Sequence, residues 1–152
     1  MPFVDDITPV DAHVHASGGA IRRLLVVDQQ HSFVGLARLV ARSMGYQTDA
    51  VHDPRDLATR FREWRPDVVI IEIVLPEMDG IEMIGVLSEL GFDGQLILVT
   101  GHEPKYLELA RKTAEAKSLQ VATSLTKPAR TAQMIQALAQ CELAATMSAA
   151  LE

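Results

Sequence analysis

The stretch from Asp67 to Gly80, DVVIIEIVLPEMDG, constrains the fold more than any other part of this chain. Val68, Val69, Ile70 and Ile71 follow one another without a polar break, and all four are β-branched. A strand with one wet face alternates apolar and polar residues. A strand that is apolar at every position is buried on both faces, so helices must cover it above and below. The run meets a carboxylate at Glu72, then Pro76 and an Asp79-Gly80 turn, and a helical apolar pattern follows. A carboxylate at the C-terminal end of a central parallel strand lies where open α/β sheets place their chemistry.

The rest of the chain supplies partners for that strand. Residues 24–27 (LLVV) read as a second buried strand. Phe33, Val34, Leu36, Ala37, Val40, Ala41 and Met44 then form one face of a helix over 31–44, with Gly45 as its C-cap. A short strand is expected at 47–51. Asp53-Pro54 fits an N-cap followed by Pro at the first helical position, opening a helix that runs to about residue 64, before Pro66. After the strand at 68–73 come a helix over 81–90 stopped by Gly91, and a strand at 95–99 ending in Thr100-Gly101. A long helix over 103–117, a strand at 119–123 and a last helix after Lys127-Pro128 complete the pattern. That last helix is expected to carry Met134, Ile135, Leu138 and Cys141 on one face. Strands and helices alternate five times, which implies a parallel five-stranded sheet with helices on both faces and right-handed crossovers.

The chain has 152 residues, enough for one domain with a real core. Residues 1–20 carry two prolines and a Gly-Gly pair without periodicity and read as a flexible arm. Residues 21–142 form the domain, and 143–152 a helical extension or linker whose final Leu151-Glu152 matches a cloning remnant. No apolar run reaches the roughly 20 residues of a membrane helix, and no basic flank precedes an apolar stretch. Cys141 is the single cysteine, so no intrachain disulfide forms. These features point to the cytoplasm. The net charge is −6 and the basic residues are scattered. Nucleic-acid binding needs a basic stripe to meet phosphates, so direct binding to DNA is not expected.

Five motifs sit in order at strand ends: Asp28, the Glu72 strand with its Leu75-Pro76-Glu77-Met78-Asp79-Gly80 loop, Thr100, Lys127 and Pro128. Together they resemble the receiver domain of bacterial two-component response regulators, over residues 22 to about 142. The resemblance implies a flavodoxin-like (βα)5 fold with strand order 2-1-3-4-5, and a signalling module rather than an enzyme. In that family an Asp at the Glu72 position accepts a phosphoryl group. Mg²⁺ is held there by an acidic pair, the acceptor and one backbone carbonyl. Carried over, these positions are Asp28, Gln29, Glu72 and the carbonyl of Val74. The family's Lys, which contacts the phosphoryl oxygens, maps to Lys127, and its switch hydroxyl maps to Thr100. The family's Lys-Pro peptide bond is usually cis.

Three positions depart from the pattern. Gln29 replaces the second acid, and Mg²⁺ prefers carboxylate and water oxygens, so weak Mg²⁺ binding and no other cofactor are expected. Glu72 replaces the acceptor, and its extra methylene moves the carboxylate by about 1.3 Å. A displacement of about 1 Å can lower a rate roughly a hundredfold. Ser124 stands where the family has an aromatic residue that swings inward with the Thr. Two readings of Glu72 stay open. It either mimics the phosphorylated state by pairing with Lys127 and Thr100, or forms a structural ion pair in a decayed site. As a mimic it is partial, because a phosphoryl group carries roughly −1.5 to −2 charge and three acceptor oxygens.

The expected function is therefore an atypical receiver acting through protein contacts without the Asp phosphorylation cycle. Its expected partners are a histidine kinase, a phosphotransfer domain or an output domain. A homodimer through the family's usual face (fourth helix, fifth strand, fifth helix) is a further expectation, with neither nucleic acid nor membrane involved. The alternatives are a working switch phosphorylated at Glu72, or a regulatory receiver of a longer protein. The segment between Thr100 and Lys127 is longer than in a typical receiver and resembles receivers beside cyclic-di-GMP phosphodiesterase domains of the EAL type. Two other features carry less. Asp11-Ala12-His13-Val14-His15 is similar to the metal-binding motif of amidohydrolases, but that chemistry needs a (β/α)8 barrel of more than about 200 residues; a solvated tail is expected. Phe33, Phe61 and Trp64 are expected in core or rim packing, His102 in an exposed loop, and His31 and His52 outside any catalytic triad.

Overall fold

A computed structural model describes residues 21–151. The arm at 1–20 and the Asp11-x-His13-x-His15 motif lie outside the described residues. Five parallel strands, β1 (Arg23–Val27), β2 (Gln47–Val51), β3 (Val68–Glu72), β4 (Gln95–Thr100) and β5 (Gln120–Thr126), form one sheet of order β2-β1-β3-β4-β5. Five α-helices alternate with them: α1 (His31–Ser43), α2 (Leu57–Trp64), α3 (Gly80–Glu89), α4 (Pro104–Ala116) and α5 (Thr131–Ala150). This is the flavodoxin-like receiver architecture the motif order implied.

The uninterrupted apolar character of β1, β3 and β4 follows from their place in the sheet. Leu25, Val27, Val69, Ile71, Leu96 and Leu98 face a core closed by α2, α3 and α4. Leu24, Val26, Val68, Ile70, Ile97 and Val99 face a second core closed by α1 and α5. Phe33 and Phe61 are buried, one in each core, and Trp64 packs at the rim. Glycines end the helices where expected: Gly45 (φ 96°) and Gly91 (φ 75°) take the left-handed conformation that a Cβ disfavours. Gly94 has a different role, since a Cβ there would lie 2.0 Å from the Asp67 carbonyl oxygen. Among the described residues no helix is long and apolar enough to cross a membrane.

The structure corrects the sequence expectations at four places. The Asp53 carboxylate caps a 3-10 turn, Pro54–Asp56, which precedes α2; it accepts the Arg55 N–H. β3 ends at Glu72, so Ile73 already belongs to the following loop. β5 continues to Thr126, three residues beyond the expected end. It is half-exposed and interrupted opposite Leu96/Ile97 by a register shift, which breaks the two-residue period. On α5, Ile135 is 45% exposed, and the inward face is Met134, Ala137, Leu138 and Cys141. Residues at i, i+4 and i+7 share a face, while the residue next to one of them points about 100° away.

Candidate functional site

Parallel strands present their C-terminal ends at one edge, where Asp28, Glu72, Thr100 and Lys127 come together. Asp28 follows β1, and its N–H donates to the Val51 carbonyl of the neighbouring strand end (3.1 Å). Glu72 closes β3, Thr100 closes β4, and the Lys127 N–H donates to the Thr100 carbonyl (2.8 Å). The Lys127-Pro128 peptide is cis, as the resemblance implied.

Lys127 organises the site. Its Nζ lies 2.7 Å from Asp28 Oδ2 and 2.9 Å from Glu72 Oε1. The side chains of Lys127, Asp28 and Glu72 are 12%, 2% and 6% exposed, so the three charges interact largely out of water. Asp28 Oδ2 has no donor in hydrogen-bond geometry, so the attraction there is that of an ion pair. The remaining carboxylate oxygens are held by backbone. Asp28 Oδ1 accepts the Gln30 N–H (2.9 Å), and Glu72 Oε2 accepts the Val74 N–H (2.9 Å). The Phe33 ring lies 4.9 Å from the ammonium, in cation–π range.

The other expected positions are placed less uniformly. Gln29 is exposed and turns outward, its Nε2 donating to Glu77 Oε1 in the loop after β3 (2.7 Å). Thr100 is fully buried, and its hydroxyl oxygen accepts the His102 N–H (3.0 Å). Glu72 pairs with Lys127 but makes no hydrogen bond to Thr100, which corrects half of the mimicry expectation. Ser124 lies in β5 opposite Leu98, two residues short of the Thr126–Thr100 pair at the strand ends. His102 is exposed, as expected. His31 and His52 approach to 4.9 Å between ring centroids, and His52 Nδ1 lies 3.2 Å from the Asp28 carbonyl. Among the described residues no cluster of three His, Cys, Asp or Glu side chains is gathered for a metal.

Sequence reasoning missed the contacts of Val74, Glu77 and Phe33. The spacing Glu72-x-Val74, a carboxylate two residues before a free N–H at a strand end, is the local signal for the first. The contacts of Glu77 and Phe33 depend on tertiary approach and leave no local pattern.

The response regulator receiver domain model matches residues 24–139. The chain belongs to this family. Over 66 residues it is 38% identical to the DNA-binding response regulator MtrA of Mycobacterium tuberculosis, covering 43% of this chain and 29% of MtrA. It is 28% identical over 71 residues to the transcriptional regulatory protein TrcR of the same organism, covering 47% of this chain and 28% of TrcR. The chain thus spans under a third of these curated relatives. Among solved structures, the chemotaxis protein CheY4 of Vibrio cholerae superposes with a TM-score of 0.67 at 20% identity, over 80% of this chain and 99% of CheY4. The signal receiver domain of an HD domain-containing protein from Pseudomonas fluorescens gives 0.69 at 22% identity, over 80% and 94%. At these identities the superpositions establish the fold. The receiver has its family's α/β frame, and its strand-end edge holds two carboxylates bridged by one lysine.

Proposed function

We propose that this chain is an atypical receiver in two-component signal transduction, working through protein contacts without the usual Asp phosphorylation cycle. The observation that carries this reading is the double pairing of Lys127 with Asp28 and Glu72. A receiver that takes up a phosphoryl group needs an acceptor carboxylate free to attack and a cation to neutralise the equatorial oxygens. Here the position assigned to the acceptor holds Glu72. One of its oxygens faces the ammonium and the other is bound to the Val74 N–H.

The donor set does not fit Mg²⁺. The Lys127 ammonium lies between both carboxylates and offsets one of their two charges, and the Gln29 position is a neutral amide committed to Glu77. A hard dication favours carboxylate and water oxygens in near-octahedral array and gains little from this set. With an internal cation at the edge, the conformation of the surrounding loops is fixed without a modification. The partner, whether a histidine kinase, a phosphotransfer domain or an output domain, then reads one persistent surface. Calorimetric titration with Mg²⁺ tests this: no saturable heat is expected below the millimolar range, and micromolar affinity would contradict the reading.

A further inference from the structure

Helix α5 (Thr131–Ala150) packs on the sheet through Met134, Ala137, Leu138 and Cys141, and from Glu142 onward none of its residues is buried. Along its outer side Ala132, Ile135, Ala139, Leu143 and Thr146 follow one another at spacings of 3, 4, 4 and 3 residues. At about 100° per residue these positions stay on one side of a straight helix, turned away from the buried residues. All of them are exposed, Ile135 to 45% and Leu143 to 55%, and Met147 at the edge of the stripe to 59%. A helix face turned to water normally carries charged residues. On α5 the one charged residue is Glu142, which lies at the border of the stripe. Helix α4 shows the contrast: Lys105, Glu108, Arg111, Lys112 and Glu115 all take part in ion pairs on its surface. A continuous apolar face of this kind marks an interaction surface.

We propose that this face of α5 binds a second copy of the chain, as an antiparallel helix pair with its two-fold axis at Ala139. The spacing 3-4-4-3 reads the same in both directions about Ala139, and so do the residue sizes: small at the centre, large at Ile135 and Leu143, small again at Ala132 and Thr146. Turning one helix end over end therefore sets Ala139 against Ala139. It brings Ile135 level with Leu143 of the second copy, and Ala132 level with Thr146. An interface between identical copies about a two-fold axis requires this match of a surface with itself. The alanines permit close approach of the two helices, toward the lower end of the about 8–10 Å found between packed axes. Charge points the same way. A net charge of −6 sets two copies against each other over most of their surface, and this face is neutral. The two Glu142 residues are staggered by about 9 Å along the axis, each level with Gln136 of the other copy. The Thr146 hydroxyl donates to the Glu142 carbonyl (2.9 Å), so it brings no unpaired donor to the seam. A single helix pair falls short of the about 1,200 Å² of a stable interface, so the dimer is weak and reversible. It leaves α4 outside the contact and does not rest on the chemistry at Glu72.

Sedimentation equilibrium of the full chain, from about 10 µM to about 1 mM, tests the pairing. A reversible monomer–dimer equilibrium is expected. Leu143→Glu puts a charge into the apolar seam and is expected to weaken association about tenfold or more, whereas Leu143→Met retains it. Leu143 is exposed in the monomer, so both variants are expected to keep the wild-type unfolding midpoint. Arg111→Glu on α4 is expected to leave the dimer unchanged. The register is read by cross-linking with a short bifunctional maleimide. Ala132→Cys chains are expected to link to Thr146→Cys chains in a mixture, and neither to itself, because like positions lie about 21 Å apart along the axis. Cys141 is buried and adds no background. A chain that stays monomeric throughout would overturn the assignment. So would a dimer indifferent to Leu143→Glu, a dimer lost in Arg111→Glu, or Ala132→Cys chains linked to one another.

Discussion

At the scale of single residues, the site's energetics turn on Lys127. Removing one member of a buried ion pair leaves an uncompensated charge, which costs about 3–5 kcal/mol. Lys127→Met strands two carboxylates at once. Urea denaturation is therefore expected to show a loss in that range, and a smaller loss for Glu72→Gln, after which Asp28 still neutralises the lysine. The reverse order would mean that Lys127 is not the centre of the triad. Replacing Glu72 and Gln29 together by Asp shortens one carboxylate and adds a charge at the metal position. That double variant is expected to take up a phosphoryl group from acetyl phosphate in Mg²⁺, read as a mass adduct. An inert double variant would place the block elsewhere in the pocket. Cys141 is fully buried in the α1–α5 core, and burial pushes its thiol pKa up to about 12. Only the thiolate reacts with disulfide reagents, so native protein at pH 8 is expected to resist labelling and urea-unfolded protein to label fully. The residues of the site were legible as a set because each ends a strand. Their pairing was legible only in part: the spacing Glu72-x-Val74 signals the bond from the Val74 N–H, while the approach of Lys127 to both carboxylates depends on tertiary structure.

At the scale of elements, the sequence was most informative where one face or two faces are fully buried. β1, β3 and β4 announce themselves by unbroken apolar runs, and α1 by its apolar periodicity. The end of β5 is hard to read because its half-buried, bulged second half (ATSLT) lacks both signals. Periodicity separates the faces of α5 poorly because apolar residues occur on most of its sides, so the outward position of Ile135 is not evident from its spacing. The junction of β3 and α3 is specified more tightly. Asp79 and Glu82 form a reciprocal capping box at the α3 N-terminus, and Asp79→Ala is expected to cost about 1 kcal/mol in thermal or chemical unfolding. A Cβ on Gly80 would lie 2.6 Å from the Ile73 Cβ, next to Glu72 in the chain. Gly80→Ala is therefore expected to destabilise by about 1–3 kcal/mol through overpacking. An unchanged midpoint for Gly80→Ala would show that the loop yields freely.

At the scale of the whole molecule, the sheet separates two cores and holds a charged edge at the C-terminal ends of its strands. The edge gives this receiver its character. At that edge the Lys127 ammonium, carried just after β5, lies between the two carboxylates, and on the proposed reading it serves as their internal counter-ion. A ligand that binds only the folded state raises the unfolding midpoint with its concentration. A receiver whose counter-ion is internal should therefore unfold at the same temperature in Mg²⁺ and in chelator, and a rise with Mg²⁺ would count against the account. The most direct test is the intact mass of the wild-type protein after incubation with acetyl phosphate and Mg²⁺. The account predicts a folded protein of unchanged mass. A phosphoryl adduct mapped to Glu72 would contradict it and make the chain a working switch with a glutamate acceptor.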